Sequence, residues 1–181
     1  MRIGGWLQRY PGLLERAYLI TKWILERLAP VLARLGYAKV DRWLRWPEEV
    51  SKKAIFDCRM CGQCILHSTG MTCPMTCPKF IRNGPCGGVR SNGNCEVIPE
   101  MRCVWVEAYE RSLKMPAYGQ DMLKVQAPLN QRLEGTSAWV NMLQGNDQDY
   151  PTGWIRLSEI PVLNEKFSLE HPLVMGPDHA T

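Results

Sequence analysis

Histidine is scarce in this chain: three in 181 residues. Two of them, His171 and His179, fall near its end with no nucleophile motif beside them. No G-x-G-x-x-G follows a strand pattern, and neither a phosphate-cradling P-loop nor a G-x-S-x-G elbow occurs. Their absence argues against the familiar dinucleotide, nucleoside-triphosphate and α/β-hydrolase chemistries. No uncharged apolar run reaches the roughly 18 residues that a membrane span needs. The opening "MRIGGWLQRYPGLLERAYLITKWILERLAP" meets a charge every few residues, unlike the unbroken apolar segment of a secretory signal. A cytoplasmic location is therefore expected. So is the absence of a catalytic site of the chain's own, which leaves the role of an electron-transfer or structural subunit.

The composition, 45% hydrophobic and 22% charged, is that of a globular protein. Charge is unevenly spread. Residues 1–53 hold eleven Lys/Arg against five Asp/Glu, and the remainder holds eleven against thirteen. A basic front can meet an acidic protein, an anionic surface or nucleic acid. No RNA-binding motif or zinc-finger helix accompanies it, so nucleic acid is not expected as a partner; a membrane is not expected either.

Three zones follow one another. Residues 1–54 form a basic amphipathic helical arm. After Pro11, a good first-turn residue, Leu13, Leu14, Ala17, Tyr18, Ile20, Ile24, Leu25 and Leu28 recur at helical spacing, with Glu15, Lys22 and Glu26 opposite. Pro30 is expected to end or kink this helix, Gly36 to cap the next piece, and a further helix to start at Pro47. Such a hairpin can pack on its own domain, dock on a partner or lie on a membrane. Trp6, Trp23, Trp43 and Trp46 suit all three. Residues 55–112 are a Cys-rich module whose "NGPCGG" and "SNGN" are turn chemistry. With so few large apolar side chains, this module needs a bound metal or cluster to fold. Residues 113–181 read as an extended partner-binding tail with a short helix near Ser137–Leu143. The expected fold is small, mostly α and irregular, with its loop module stapled by iron–sulfur clusters or metal.

The chemistry lies in "CRMCGQCILHSTGMTCPMTCPK", which packs five cysteines into residues 58–79. The full set is Cys58, Cys61, Cys64, Cys73, Cys77, Cys86, Cys95 and Cys103. In a reducing compartment such clustering points to metal or redox chemistry rather than disulfides. Three cysteines at two-residue intervals can meet three corners of a cubane, and the fourth ligand is often a cysteine before proline, as Cys73 and Cys77 are. A third cysteine at that interval is surplus to a tetrahedral zinc built from two C-x2-C knuckles. One or two [4Fe–4S] clusters are expected, with zinc in place of the second as the alternative. The assignment offered is Cys58, Cys61 and Cys64 with a later cysteine, and Cys73, Cys77, Cys86 and Cys95 for most of the second site. His67 reads as a hydrogen-bonded loop residue. Arg59, Lys79, Arg82 and Arg90 either offset cluster charge or are plain solvated charges. Trp105 either shields a cluster or fills the core.

The string "CPMTCPKFIRNGPCGGVRSNGNCEVIPEMRCVW", with the "CRMCGQCILHSTGMTCP" before it, resembles the methylenetetrahydrofolate reductase C-terminal domain family. The likeness spans about residues 55–145, including "LEGTSAWVNML". It implies a small iron–sulfur subunit and a TIM-barrel reductase partner that carries FMN or FAD and binds the folate. It also implies a hetero-oligomer, served by a ferredoxin-like electron carrier. On this chain the eight cysteines are what carries over, as cluster or metal ligands. The rival reading is a zinc- or cluster-stapled assembly module that stabilises the reductase without moving electrons.

Overall fold

The computed structural model describes residues 6–148, which lie in the first of two compact units, residues 1–149. Expectations for residues 150–181, the end of the extended tail, fall outside the described residues. Among the described residues the chain is mostly helical and irregular with no strand, and only an isolated antiparallel bridge joins Asn94 to Arg102. Among these residues no helix is long and apolar enough to cross a membrane.

Two long helices, α1 (Pro11–Leu35) and α2 (Tyr37–Phe56), are joined by Gly36 alone. Gly36 stands at φ 86°, a conformation glycine adopts without strain, and its N–H closes on the Ala33 carbonyl. The helices are antiparallel neighbours: Gln8 Nε2 donates to the Ile55 carbonyl at 2.5 Å, and Trp139 lies against both Tyr18 of α1 and Lys52 of α2. The cap at Gly36 is as expected, but Pro30 does not end its helix and Pro47 does not start one. α1 runs through Pro30 and α2 through Pro47 without a break. Each proline deprives one carbonyl of its donor, and both prolines are exposed, so water can satisfy the freed carbonyl.

Downstream of α2 the chain turns through two short 3-10 turns, Leu66–Ser68 and Pro74–Thr76, and a loop reaching Cys103. Helix α3 (Val104–Ser112) follows, then irregular chain with 3-10 turns, then α4 (Ala138–Gln144). Ser137 is the N-cap of α4, as the expected short helix requires. One apolar cluster unites Leu14, Leu66, Met71, Cys73, Met75 and Met115, and a second gathers Cys103, Trp105 and Ala108. Burying each large side chain contributes about 1.5–3 kcal/mol.

Two carboxylates of the hairpin are buried. Glu15 accepts from the backbone N–H groups of Ala117 and Tyr118 at 3.1 and 2.6 Å. It thereby pins the segment before the Gly119–Leu123 turn to α1. Glu48 accepts from Lys52 Nζ at 2.5 Å, Ser137 Oγ at 2.5 Å and the Ala138 N–H at 3.2 Å. It thus serves the start of α4 rather than the start of its own helix. The residues after α3 are drawn back onto the helical hairpin by these two acids.

Candidate metal centres

All eight cysteines are free thiols, and they fall into two chambers of four. Cys58, Cys61, Cys64 and Cys73 line the first; Cys77, Cys86, Cys95 and Cys103 line the second. Cys73, assigned by spacing to the second set, belongs with the triplet, and Cys103 completes the other. The reason is the Pro74–Thr76 turn, which separates the two prolyl-preceding cysteines and sends them to different chambers.

In the first chamber, backbone conformation aims the thiols. Met60 (φ 50°) and Gly62 (φ 74°) alternate with the cysteines, curling the loop so that three sulfurs face one space. Gly62 has no substitute, because a Cβ there would lie 2.1 Å from the Leu133 carbonyl oxygen. The loop is held from outside. The Gly135 N–H donates to the Met60 carbonyl at 2.8 Å, and Asn141 Nδ2 donates to the Gly62 carbonyl at 2.8 Å. Gln63, fully buried, reaches the Asp147 carbonyl at 3.1 Å and the Asn130 N–H at 2.6 Å.

Two buried cations border this chamber, Lys52 and Arg82. Arg82 donates to the carbonyls of Ala127 at 2.8 Å and Gln63 at 2.9 Å. Burial lowers its pKa, against the pull of Cys61 and Cys64. For Lys52 burial acts in the same sense, but Cys64 and Glu48 outweigh it and the net shift is upward. Burial also pushes the Cys58 thiol up to about 11 and the Cys73 thiol up to about 12, with neighbouring thiols adding to both. Without a cationic occupant these sulfurs keep their protons. With one they ionise, since metal coordination deprotonates a thiol outright.

The second chamber has one thiol at the surface. Cys86 is exposed, while Cys77, Cys95 and Cys103 are buried. The loop is stitched by its own backbone: Arg90 N–H to Asn94, Cys95 N–H to Met101 and Cys103 N–H to Gly93, at 2.9–3.0 Å. Cys103 is the N-cap of α3. The Glu96 carboxylate pairs with Lys79 and lies 3.7 Å from Cys86 Sγ.

The remaining expected residues divide. Arg59 and Arg90 are exposed, and Lys79 is paired with Glu96 at the surface. Arg82 alone of the four is buried. His67 is not a hydrogen-bonded loop residue: it stacks on Tyr18 with centroids 5.3 Å apart, and its buried Nδ1 has no partner. Trp105 is buried, lines the second chamber and carries an unpartnered Nε1–H. Lys52, Gln63 and Asn141 were missed. The i,i+4 spacing of Glu48 and Lys52 was a usable signal; nothing local marked Gln63 or Asn141.

Each chamber presents four thiols, the number that a [4Fe–4S] cluster takes. Lys52 and Arg82 border the first, and Trp105, whose Nε1–H has no partner, lines the second. A lone zinc at about 2.3 Å from each sulfur would draw four of them to within about 3.8 Å of one another.

A family profile described as "Methylene-tetrahydrofolate reductase C terminal" matches residues 37–132. The match begins at α2, earlier than the resemblance suggested, and stops before "LEGTSAWVNML". No curated protein and no solved structure matches the chain. With more than half its length covered, the chain belongs to the methylene-tetrahydrofolate reductase C-terminal family.

Proposed function

We propose that this chain is the iron–sulfur subunit of a methylenetetrahydrofolate reductase complex, with a four-thiolate [4Fe–4S] site in each chamber. The observation that carries the reading is the division of eight cysteines into two sets of four. Bound clusters supply one-electron transfer between a ferredoxin-like carrier and the flavin of a barrel partner, where the folate chemistry takes place. The chain's own residues set the conditions. The apolar walls exclude water, Lys52 and Arg82 offset the negative charge of the first site, and N–H groups act on the sulfurs. The Met60 N–H donates to Cys58 Sγ at 3.3 Å and the Gly88 N–H to Cys86 Sγ at 3.4 Å. Hydrogen bonds of this kind raise a cluster's potential.

The test is metal content. Purified without oxygen, the chain is expected to hold about eight iron and eight sulfide, four of each per site. Cys73→Ser should remove iron from the first site only, and Cys103→Ser from the second only. A colourless chain carrying zinc alone would end the proposal and leave a stapled assembly module in its place.

A further inference from the structure

We propose that the helical hairpin docks on an anionic phospholipid surface. The tryptophans that a core would have buried are outside: Trp23, Trp43 and Trp46 are 61%, 67% and 72% exposed. On α1, Leu13, Ile20, Ile24, Leu28, Val31 and Leu35 are also exposed. At 3.6 residues per turn these six fall within an arc of about 80°, and they run about 33 Å along the helix. Trp43, Trp46 and Val50 share a second exposed arc, of about 60°, on α2. α1 therefore has two apolar faces, and only the one carrying Leu14 and Leu25 is covered by the fold.

Charge identifies the occupant. Every acid of the hairpin is already matched within the fold. Glu15 takes two backbone N–H groups, and Glu26, Asp41, Glu48 and Glu49 pair with Lys22, Arg45, Lys52 and Lys53. Arg16, Arg27, Arg34, Lys39 and Arg42 have no carboxylate partner among the described residues, and by helical spacing they border the two exposed arcs. A second copy would set these cations against one another. An anionic layer accepts them, takes the aliphatic arc into its acyl boundary and seats the indoles at the interface. Two further points favour lipid over an acidic protein. The surface is one long helix face, and α1 lies wholly before the family-matched residues. Among the described residues no helix is long and apolar enough to cross a membrane. The hairpin would lie on the membrane, not in it.

The experiment floats the full chain, purified without oxygen, with vesicles of phosphatidylcholine alone or with about 30% phosphatidylglycerol. Expected are at least about tenfold greater partition onto the anionic vesicles, loss of most binding at about 0.5 M salt, and a blue shift of tryptophan emission. Arg27→Glu with Arg34→Glu should cut binding at least about thirtyfold, at roughly 1 kcal/mol for each of the two cations lost. Trp43→Ser with Trp46→Ser should remove most of the emission shift. All four side chains are exposed, so circular dichroism and iron content should not change. Equal partition onto both vesicles, or none, overturns the proposal. So does an emission shift produced by the copurified reductase subunit and not by vesicles, which would make this a protein-docking face.

Discussion

The two thiol chambers have the same donor count and opposite construction. The first is enclosed by distant parts of the chain: Met60, Gly62 and Gln63 are tied to Gly135, Asn141 and Asn130, while α2 supplies Lys52. The second is closed by a loop bonded to itself between Arg90 and Cys103, with Cys86 at the surface. On the proposed reading, the first site inherits its geometry from the fold and the second takes its order from its occupant. One is a pocket that a ligand enters; the other is a loop that a ligand finishes.

Six experiments bear on that contrast. The largest effect is expected at Glu48. Glu48→Ala strands the buried Lys52 ammonium and the start of α4 together, costing about 3–5 kcal/mol in urea unfolding. Gly62→Ala comes next, at about 2–4 kcal/mol with loss of first-site iron, because a left-handed φ and a backbone clash coincide there. Gly87→Ala, at φ 79° with nothing within 4 Å, should cost only about 1 kcal/mol and leave the second site loaded. Comparable losses in the two glycine variants would break the distinction.

Removal of metal should separate the chambers by hydrogen exchange. Amides of residues 86–103 are expected to lose protection, while those of residues 60–64 and 137–141 keep theirs. In the metal-free chain, pH should act on the first chamber. Cys58 and Cys73 are raised from the ordinary 9.0 to about 11 and about 12. A raised thiol pKa means that the fold favours the protonated form. That stability is fully present below pH 9 and is lost as pH climbs through 11 to 12. Cys58→Ala with Cys73→Ala should flatten the alkaline decline in thermal unfolding. The smallest change is expected for Glu96→Gln, below about 1 kcal/mol, because its ion pair with Lys79 is exposed to solvent.

The cysteine signature was legible because ligand spacing is local, and so was the short helix after Ser137. Allocation to chambers was not. It turned on a single 3-10 turn after Cys73, whereas cysteine counting treats Cys73 and Cys77 as equivalent. The prolines misled because helix-breaking assumes a freed carbonyl with no solvent to satisfy it, and both Pro30 and Pro47 face water. Periodicity placed Leu13, Leu14, Ile24 and Leu25 on one face. Contact with the rest of the chain buried Leu14 and Leu25 and left Leu13 and Ile24 out. Glu15 and Glu48 look like ordinary helix-surface acids in sequence. Their partners lie about 90–100 residues away, beyond any window of periodicity.

The Pro74–Thr76 turn has one more effect. Its residues separate Cys73 from Cys77, and the Thr76 N–H and hydroxyl both bind the Cys73 carbonyl, at 3.2 and 2.7 Å. Both ends of this bridge are therefore held before anything binds. Each chamber should load on its own, so that molecules filled at one site and empty at the other are stable during assembly.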